Sequence, residues 1–138
     1  MPNNRFILYH KHPTSAKLLF LRLNNTVCQF DGLPSESQVV ESSLEGVVAT
    51  GLDEAIAHIE QKLTLSAGTL KIEPEFWAKV DSVADTINVY LVEFTTTDPP
   101  GEKMEELEGK FIALAEGRRL GPIELELLRL VYSFLMDG

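Results

Sequence analysis

Early in this chain apolar residues alternate with polar ones or crowd into short β-branched and aromatic runs. Near its end they recur every three or four positions. A period of two marks strands and a period near 3.6 marks helices. Residues 5–10 and 16–23 therefore predict two strands, separated by Pro13-Thr14. In the second, Ala16, Leu18 and Phe20 share one face and Leu19, Leu21 and Leu23 the other, so both faces are expected in a core. Asn24-Asn25 offers side chains that tolerate positive φ. It predicts a two-residue turn into a third strand at 26–30, closed by Asp31-Gly32.

The next segment, 33–43, is rich in Ser and Glu and predicts a surface loop with a strand near Val39-Val40, and 45–49 predicts another short strand. Thr50-Gly51-Leu52-Asp53 has capping-box spacing, with Asp in the place of the usual Glu or Gln. A helix follows at about 52–63. Leu52, Ile56, Ile59 and Leu63 lie on one side of it and Glu54, His58, Gln61 and Lys62 on the other, which predicts an amphipathic helix lying across a sheet. Ser66-Ala67-Gly68 is a turn and 70–73 a strand. Alternation over 76–81 fits a strand, although Phe76, Val80 and Val83 also fit a helix beginning at Pro74. The strand is preferred because 82–85 reads as a hairpin connection into 86–96. That run is β-branched or aromatic on both faces, as in a central strand, and Pro99-Pro100 lies just beyond it. Met104, Leu107, Phe111 and Leu114 then predict a helix over 102–116. Gly109 counts against it and leaves a short strand at 110–115 as the alternative.

The closing stretch is the most demanding. Pro122 suits a first helical position and no Gly or Pro interrupts 123–137, which predicts a helix at about 122–136. Only Glu126, Arg129, Ser133 and Asp137 form a polar stripe; the rest of the circumference is apolar apart from Glu124. Such a helix must be wedged into its own fold or shared with a partner. The expected architecture is one α+β domain spanning 1–138. An antiparallel sheet of five or six strands packs against the amphipathic helix (about 52–63) and the strongly apolar C-terminal helix (about 122–136).

Composition narrows the functional classes. At 44% hydrophobic and 24% charged the chain is that of an ordinary globular protein, and no run reaches the ~18 apolar residues of a membrane span. The first residues alternate rather than forming the continuous apolar stretch of a signal peptide. The single cysteine, Cys28, leaves no internal disulfide and points to a reducing, cytoplasmic setting. The net charge of −9 disfavours nucleic acid and anionic membranes, although residues 1–30 carry +4 and the remainder −13. Phe6, Tyr9, Phe20 and Phe30 interleave with Arg5, Lys11, Lys17 and Arg22 in the outline of a base-stacking sheet, but core packing explains them more simply.

Candidate chemistry is sparse. His10 and His12 have the alternate spacing of two metal ligands on a strand, and His58 or Cys28 are the residues available for a third. Cys28 with His10 or His12 suits a nucleophile and its base, and a small buried hydrophobe is the simpler role for the thiol. Two carboxylates suit acid/base work. Glu93 shares parity with Ile87, Val89 and Leu91 and has Glu73, Glu75 and Asp81 as candidate partners; Glu124 points among Leu127, Leu128, Val131 and Leu135. For Glu124 the plainer expectation is a first-turn acid accepting from its own helix start. Arg118-Arg119, ahead of the last helix, suits an anion or a salt bridge to the acidic run at 102–108.

No cofactor or metal is expected from this pattern. The leading expectation is a non-enzymatic cytosolic interaction or regulatory module that self-associates as a homodimer through Leu125, Leu128, Tyr132 and Leu135, or that binds another protein through them. The alternative is a small enzyme or small-molecule-binding protein with a carboxylate-lined pocket at Glu93 or Glu124. Single-stranded nucleic-acid binding by the basic N-terminal strands ranks third.

Overall fold

A computed structural model describes residues 4–14, 17–34, 36–43, 52–83 and 86–137, with the backbone alone at 41–43, 118–119 and 137. Six strands form one sheet: β1 (Asn4–Lys11), β2 (Leu18–Arg22), β3 (Gln38–Ser43), β4 (Leu70–Asp81), β5 (Thr86–Phe94) and β6 (Lys110–Ile112). They lie in the order β3-β4-β5-β1-β2-β6. Three helices accompany them: α1 (Leu52–Lys62), α2 (Gly101–Glu106) and α3 (Pro122–Asp137). None of the described helices is long and apolar enough to cross a membrane.

Alternation decides the layers. On β1, Ile7 and Tyr9 join the cluster containing Leu127, Leu128 and Val131 of α3. Phe6 and Leu8 join the one containing Ile56, Ile59 and Leu63 from the α1 segment and Met104 of α2. Because successive strand residues point to opposite faces, α3 covers one face of the sheet and α1 with α2 the other. The fold is thus the expected α+β class in three layers, with β1 and β5 buried on both sides. The pairing departs from the all-antiparallel expectation at one place: β1 and β5 run parallel, Phe6 opposite Tyr90 and Tyr9 opposite Glu93. A parallel pair needs a long crossover, here everything from β2 through β4, and no local pattern announces it.

Several elements form as the spacing predicts. Asn24 and Asn25 have φ of 56° and 61°, closing the β2 turn from Leu23 to Thr26. The strand reading of 76–81 holds, and β4 runs on through Pro74 because the register against β5 shifts between Glu73 and Trp77. A proline without an N–H is tolerated where the ladder is interrupted.

Two expected elements do not form. The strand at 26–30 is reduced to isolated bridges, Leu23 with Thr26 and Phe6 with Gln29. Between them the N–H groups of Val27 and Cys28 go to side chains, Glu124 Oε1 at 3.0 Å and Thr26 Oγ1 at 3.0 Å, instead of a strand partner. The helix expected over 102–116 stops at Glu106. Glu108 takes φ 64° and the Gly109 N–H returns to the Met104 carbonyl at 2.7 Å, which turns the chain outward into β6. A Cβ at Gly109 would lie 3.2 Å from both the Met104 carbonyl oxygen and Leu23 Cδ1. The glycine that argued against the helix is the residue this corner requires. A 3-10 turn over Leu114–Arg119 then leads into α3. The strand expected at 45–49, and Thr50 and Gly51 of the capping box, lie outside the described residues.

Candidate ligand-binding cavity

Two walls flank a half-open cavity of about 400 Å3. One is α1, which turns Glu54, Ala55, His58, Ile59 and Lys62 toward it. Ile59 is buried against the sheet and anchors this wall, and Glu60, also buried, fixes the end of the helix. Its Oε2 accepts the N–H groups of Gly68 at 2.9 Å and Leu70 at 3.0 Å, stitching α1 to the start of β4. The other wall is the segment after the β2 turn, Gln29, Phe30 and Asp31, with Asn4 and Phe6 of β1 beside it. Reciprocal backbone bonds between Phe6 and Gln29, at 3.2 and 2.9 Å, hold this segment to β1. Arg5 reinforces it by donating from Nε to the Gly32 carbonyl at 2.6 Å.

The lining combines an apolar floor with a few convergent polar groups, the usual constitution of a small-molecule site. Phe6, Phe30, Ala55 and Ile59 supply the floor, and the Lys62 ammonium lies 4.3 Å from the centre of the Phe30 ring. Gln29 is the most buried of the polar residues beside the cavity. It is 1% exposed, and its amide nitrogen donates to the carbonyls of Thr26 at 2.8 Å and Leu21 at 3.3 Å. Its Oε1 is buried and has no hydrogen-bond partner among the described residues. An unpaired buried acceptor costs about 1–3 kcal/mol, and such groups are rare enough in folded proteins to call for an explanation.

The sequence-predicted residues fall elsewhere. Glu93 lies between Tyr9 of β1 and Lys71 of β4 in the sheet register, with Glu73 two residues further along β4. Of the three acids offered as partners for Glu93, Glu73 is the one beside it, whereas Glu75 is exposed and Asp81 accepts from Thr86 Oγ1 at the β4–β5 hairpin. Burial first, then the charge of Glu93, raises the Glu73 carboxyl above its ordinary range. Burial and the same carboxylates raise the Tyr9 phenol, which stays protonated and donates to Glu73. Glu93 also borders a surface pocket of about 550 Å3 with Lys11, His12, Lys71 and Thr95, Thr96 and Thr97. That pocket has little apolar floor, and neither Tyr9 nor Glu73 lines it.

Glu124 does not accept from its own helix start. It reaches across to the segment after the β2 turn, where Oε2 takes the Thr26 hydroxyl at 2.6 Å and Oε1 the Val27 N–H at 3.0 Å. His10 is 1% exposed, with Nε2 2.9 Å from the Thr96 carbonyl. His12 Nδ1 accepts the Thr14 N–H at 3.2 Å. Among the described residues no three His, Cys, Asp or Glu side chains gather as a metal site. Cys28 is fully buried, and burial drives its thiol well up, with the Glu124 charge adding to it. Phe6, Tyr9 and Phe20 are buried in the two cores and so are not available to stack bases. The side chains of Arg118 and Arg119 lie outside the described set.

On α3, Leu128 is buried against the chain's own sheet and is not on offer to a partner. Leu135 packs partly into the same cluster and Leu125 is half-buried. Tyr132 and Met136 remain outward at 38% and 40% exposure.

Compared with models of known protein families and with curated proteins, the chain matches none. The site is therefore read from its own geometry. The cavity is invisible in the one-dimensional pattern because its walls come from segments far apart in sequence, and α1's polar face looks like an ordinary solvated one. Phe30 and Lys62 become meaningful only when brought together.

Proposed function

We propose that this protein is a non-enzymatic ligand-binding module that holds a small organic molecule between α1 and the Gln29–Phe30–Asp31 wall. The observation that carries this reading is a pocket of about 400 Å3 in which an apolar floor of Phe6, Phe30, Ala55 and Ile59 meets the polar side chains of Asn4, Asp31, Glu54, His58 and Lys62. That volume lies in the range of about 300–1,000 Å3 common to small-molecule sites. Both walls are tied down by backbone and carboxylate bonds, so little ordering has to accompany binding. As the single cysteine, Cys28 favours a reducing, cytosolic setting. A thermal-shift screen of metabolites tests the reading. A specific ligand at a hundred times its Kd raises stability by about 2.7 kcal/mol, and filling the cavity with Ala55→Phe abolishes the response. A screen in which no compound favours the native protein over the filled variant removes the proposal.

A second reading, self-association through the outer flank of α3, is favoured by a specific surface feature. Tyr132 overhangs an apolar groove of about 480 Å3 formed with Leu18, Ala113, Leu114 and Ala115. The partner in this reading is a second copy of the chain. Native mass spectrometry at micromolar concentration then shows a dimer that Tyr132→Glu disperses; monomer alone at that concentration rules it out.

A further inference from the structure

We infer that the open pocket where β1 and β5 end binds a free acidic α-amino acid, a small molecule with one ammonium and two carboxylates. This pocket, of about 550 Å3, shares no lining residue with the cavity beside α1. Topology creates it. β1 and β5 are parallel, so their last residues reach the same edge of the sheet, and β4, antiparallel to β5, begins there. Lys11 with His12 and Pro13, the run from Glu93 to Thr97, and Lys71 are thereby gathered from three strands.

The charges at this edge are not matched by the protein itself. Lys71 stands directly across from Glu93 in the β4–β5 register, and Lys11 lies two residues beyond Tyr9, the β1 partner of Glu93. Neither ammonium closes an ion pair with the Glu93 carboxylate; among the described residues the pair that forms is Lys110 with Glu116. Glu73 accepts from the Tyr9 phenol and does not line the pocket. Lys11 and Lys71 are exposed and Glu93 is half-buried, so two long, flexible cations flank one fixed anion. A ligand of one sign meets a like charge here, an anion at Glu93 and a cation at the lysines. An ammonium for Glu93 and a carboxylate for each lysine satisfy all three.

The wall behind these charges is tied down. The Thr95 N–H donates to the Thr69 carbonyl at 2.8 Å and its hydroxyl to the Gly68 carbonyl at 2.8 Å. The Thr96 hydroxyl donates to the Asp98 carbonyl at 2.6 Å, and the buried His10 holds Nε2 2.9 Å from the Thr96 carbonyl. With these bonds made, little ordering on that side accompanies binding. Opposite, the Thr14 N–H donates to His12 Nδ1 at 3.2 Å, which commits that ring to its own turn. Apolar surface is scarce, since Phe94 is buried and Pro13 is the one exposed apolar residue of the lining. Recognition rests on charge, which favours a small, polar, multiply charged ligand.

Three five-carbon probes separate these requirements: L-glutamate (one ammonium, two carboxylates), L-glutamine (one of each) and glutarate (two carboxylates, no ammonium). They are titrated into the 15N-labelled full chain at neutral pH and constant, low ionic strength, because exposed charge pairs are screened by salt. L-glutamate shifts the backbone amides of 11–12, 71 and 93–97 with about millimolar affinity. L-glutamine and glutarate bind at least about threefold more weakly, the size expected for losing one exposed ion pair. Glu93→Gln abolishes the preference for L-glutamate over glutarate, and Lys71→Met lessens that over L-glutamine. Lys79→Met, on the same strand but outside the pocket, changes neither. The comparison of probes in the native protein stands even if a variant fails to fold. L-glutamine or glutarate matching L-glutamate, preferences that survive both substitutions, or no shift of these amides at tens of millimolar overturns the inference. Shifts confined to 29–32 and 54–62 also overturn it, while leaving the reading of the cavity beside α1 intact.

Discussion

Removing the Glu124 carboxylate tests whether α3 is latched to the rest of the protein by chemistry or merely by grease. The helix already buries Leu127, Leu128 and Val131 against the sheet. Yet Glu124 supplies acceptors to the Val27 N–H and the Thr26 hydroxyl, from a distant part of the chain. In Glu124→Ala the Val27 N–H stays in a fully buried residue with nothing to meet it, a loss of about 1–3 kcal/mol. The Thr26 hydroxyl retains a second acceptor, the Cys28 carbonyl at 3.5 Å, so its loss is the smaller part. Together the two give about 2–4 kcal/mol, or roughly 3–5 °C in Tm per kcal/mol for a chain of this length. Glu126→Ala is the matched control. It removes an exposed carboxylate two residues further along the same helix, beyond the first turn where the helix dipole acts, and costs within about 0.5 kcal/mol. Glu124→Gln, which keeps one acceptor, falls between. Equilibrium urea unfolding measures all three, and the slope of the transition should not change. If Glu124→Ala and Glu126→Ala prove equal within about 0.5 kcal/mol, the latch contributes nothing and the reasoning is refuted.

Two further outcomes follow from the buried ionisable groups. Because the Glu73 carboxyl is raised above its ordinary value of 4.5 in the folded protein, the native state holds that proton more tightly than the unfolded chain does. Stability therefore declines as pH climbs from that value through the raised one; urea midpoints across this window should fall in the native sequence and flatten in Glu73→Gln, and an equal slope in both would dismiss the effect. The Cys28 thiol, fully buried and held protonated, should ignore Ellman's reagent until the chain is unfolded, so prompt labelling of the native protein contradicts the packing described.

How much was readable in advance divides along the range of the interaction that decides each feature. Asn24-Asn25, the twice-buried β5 and the Pro122 helix start are set by neighbouring residues, and all were legible. Val27 and Cys28 were read as strand because they are apolar and β-compatible, which is true of any buried extended segment. Whether their N–H groups meet a strand or the Glu124 and Thr26 side chains is settled by a helix nearly a hundred residues away. Over 102–116 the apolar spacing fitted a helix, but the positive φ at Glu108 and the close packing of Gly109 on Leu23 outweighed it. The same limit hid the site. Strand parity left Glu93 with three candidate acids and only the register singles out Glu73 among them, whereas Gln29 gave no signal: nothing about a glutamine in sequence says that its carbonyl ends up unmatched.

The parallel contact between β1 and β5 has a consequence for how the protein comes to exist. An early strand whose neighbour on one side is Thr86–Phe94 has nothing there to dock on until that segment leaves the ribosome. At about 5–20 residues per second this is a wait of several seconds. Throughout it the β5 side of Phe6, Ile7, Leu8 and Tyr9, all buried in the finished protein, lacks the strand that finally covers it, even where β2 already pairs on the other side.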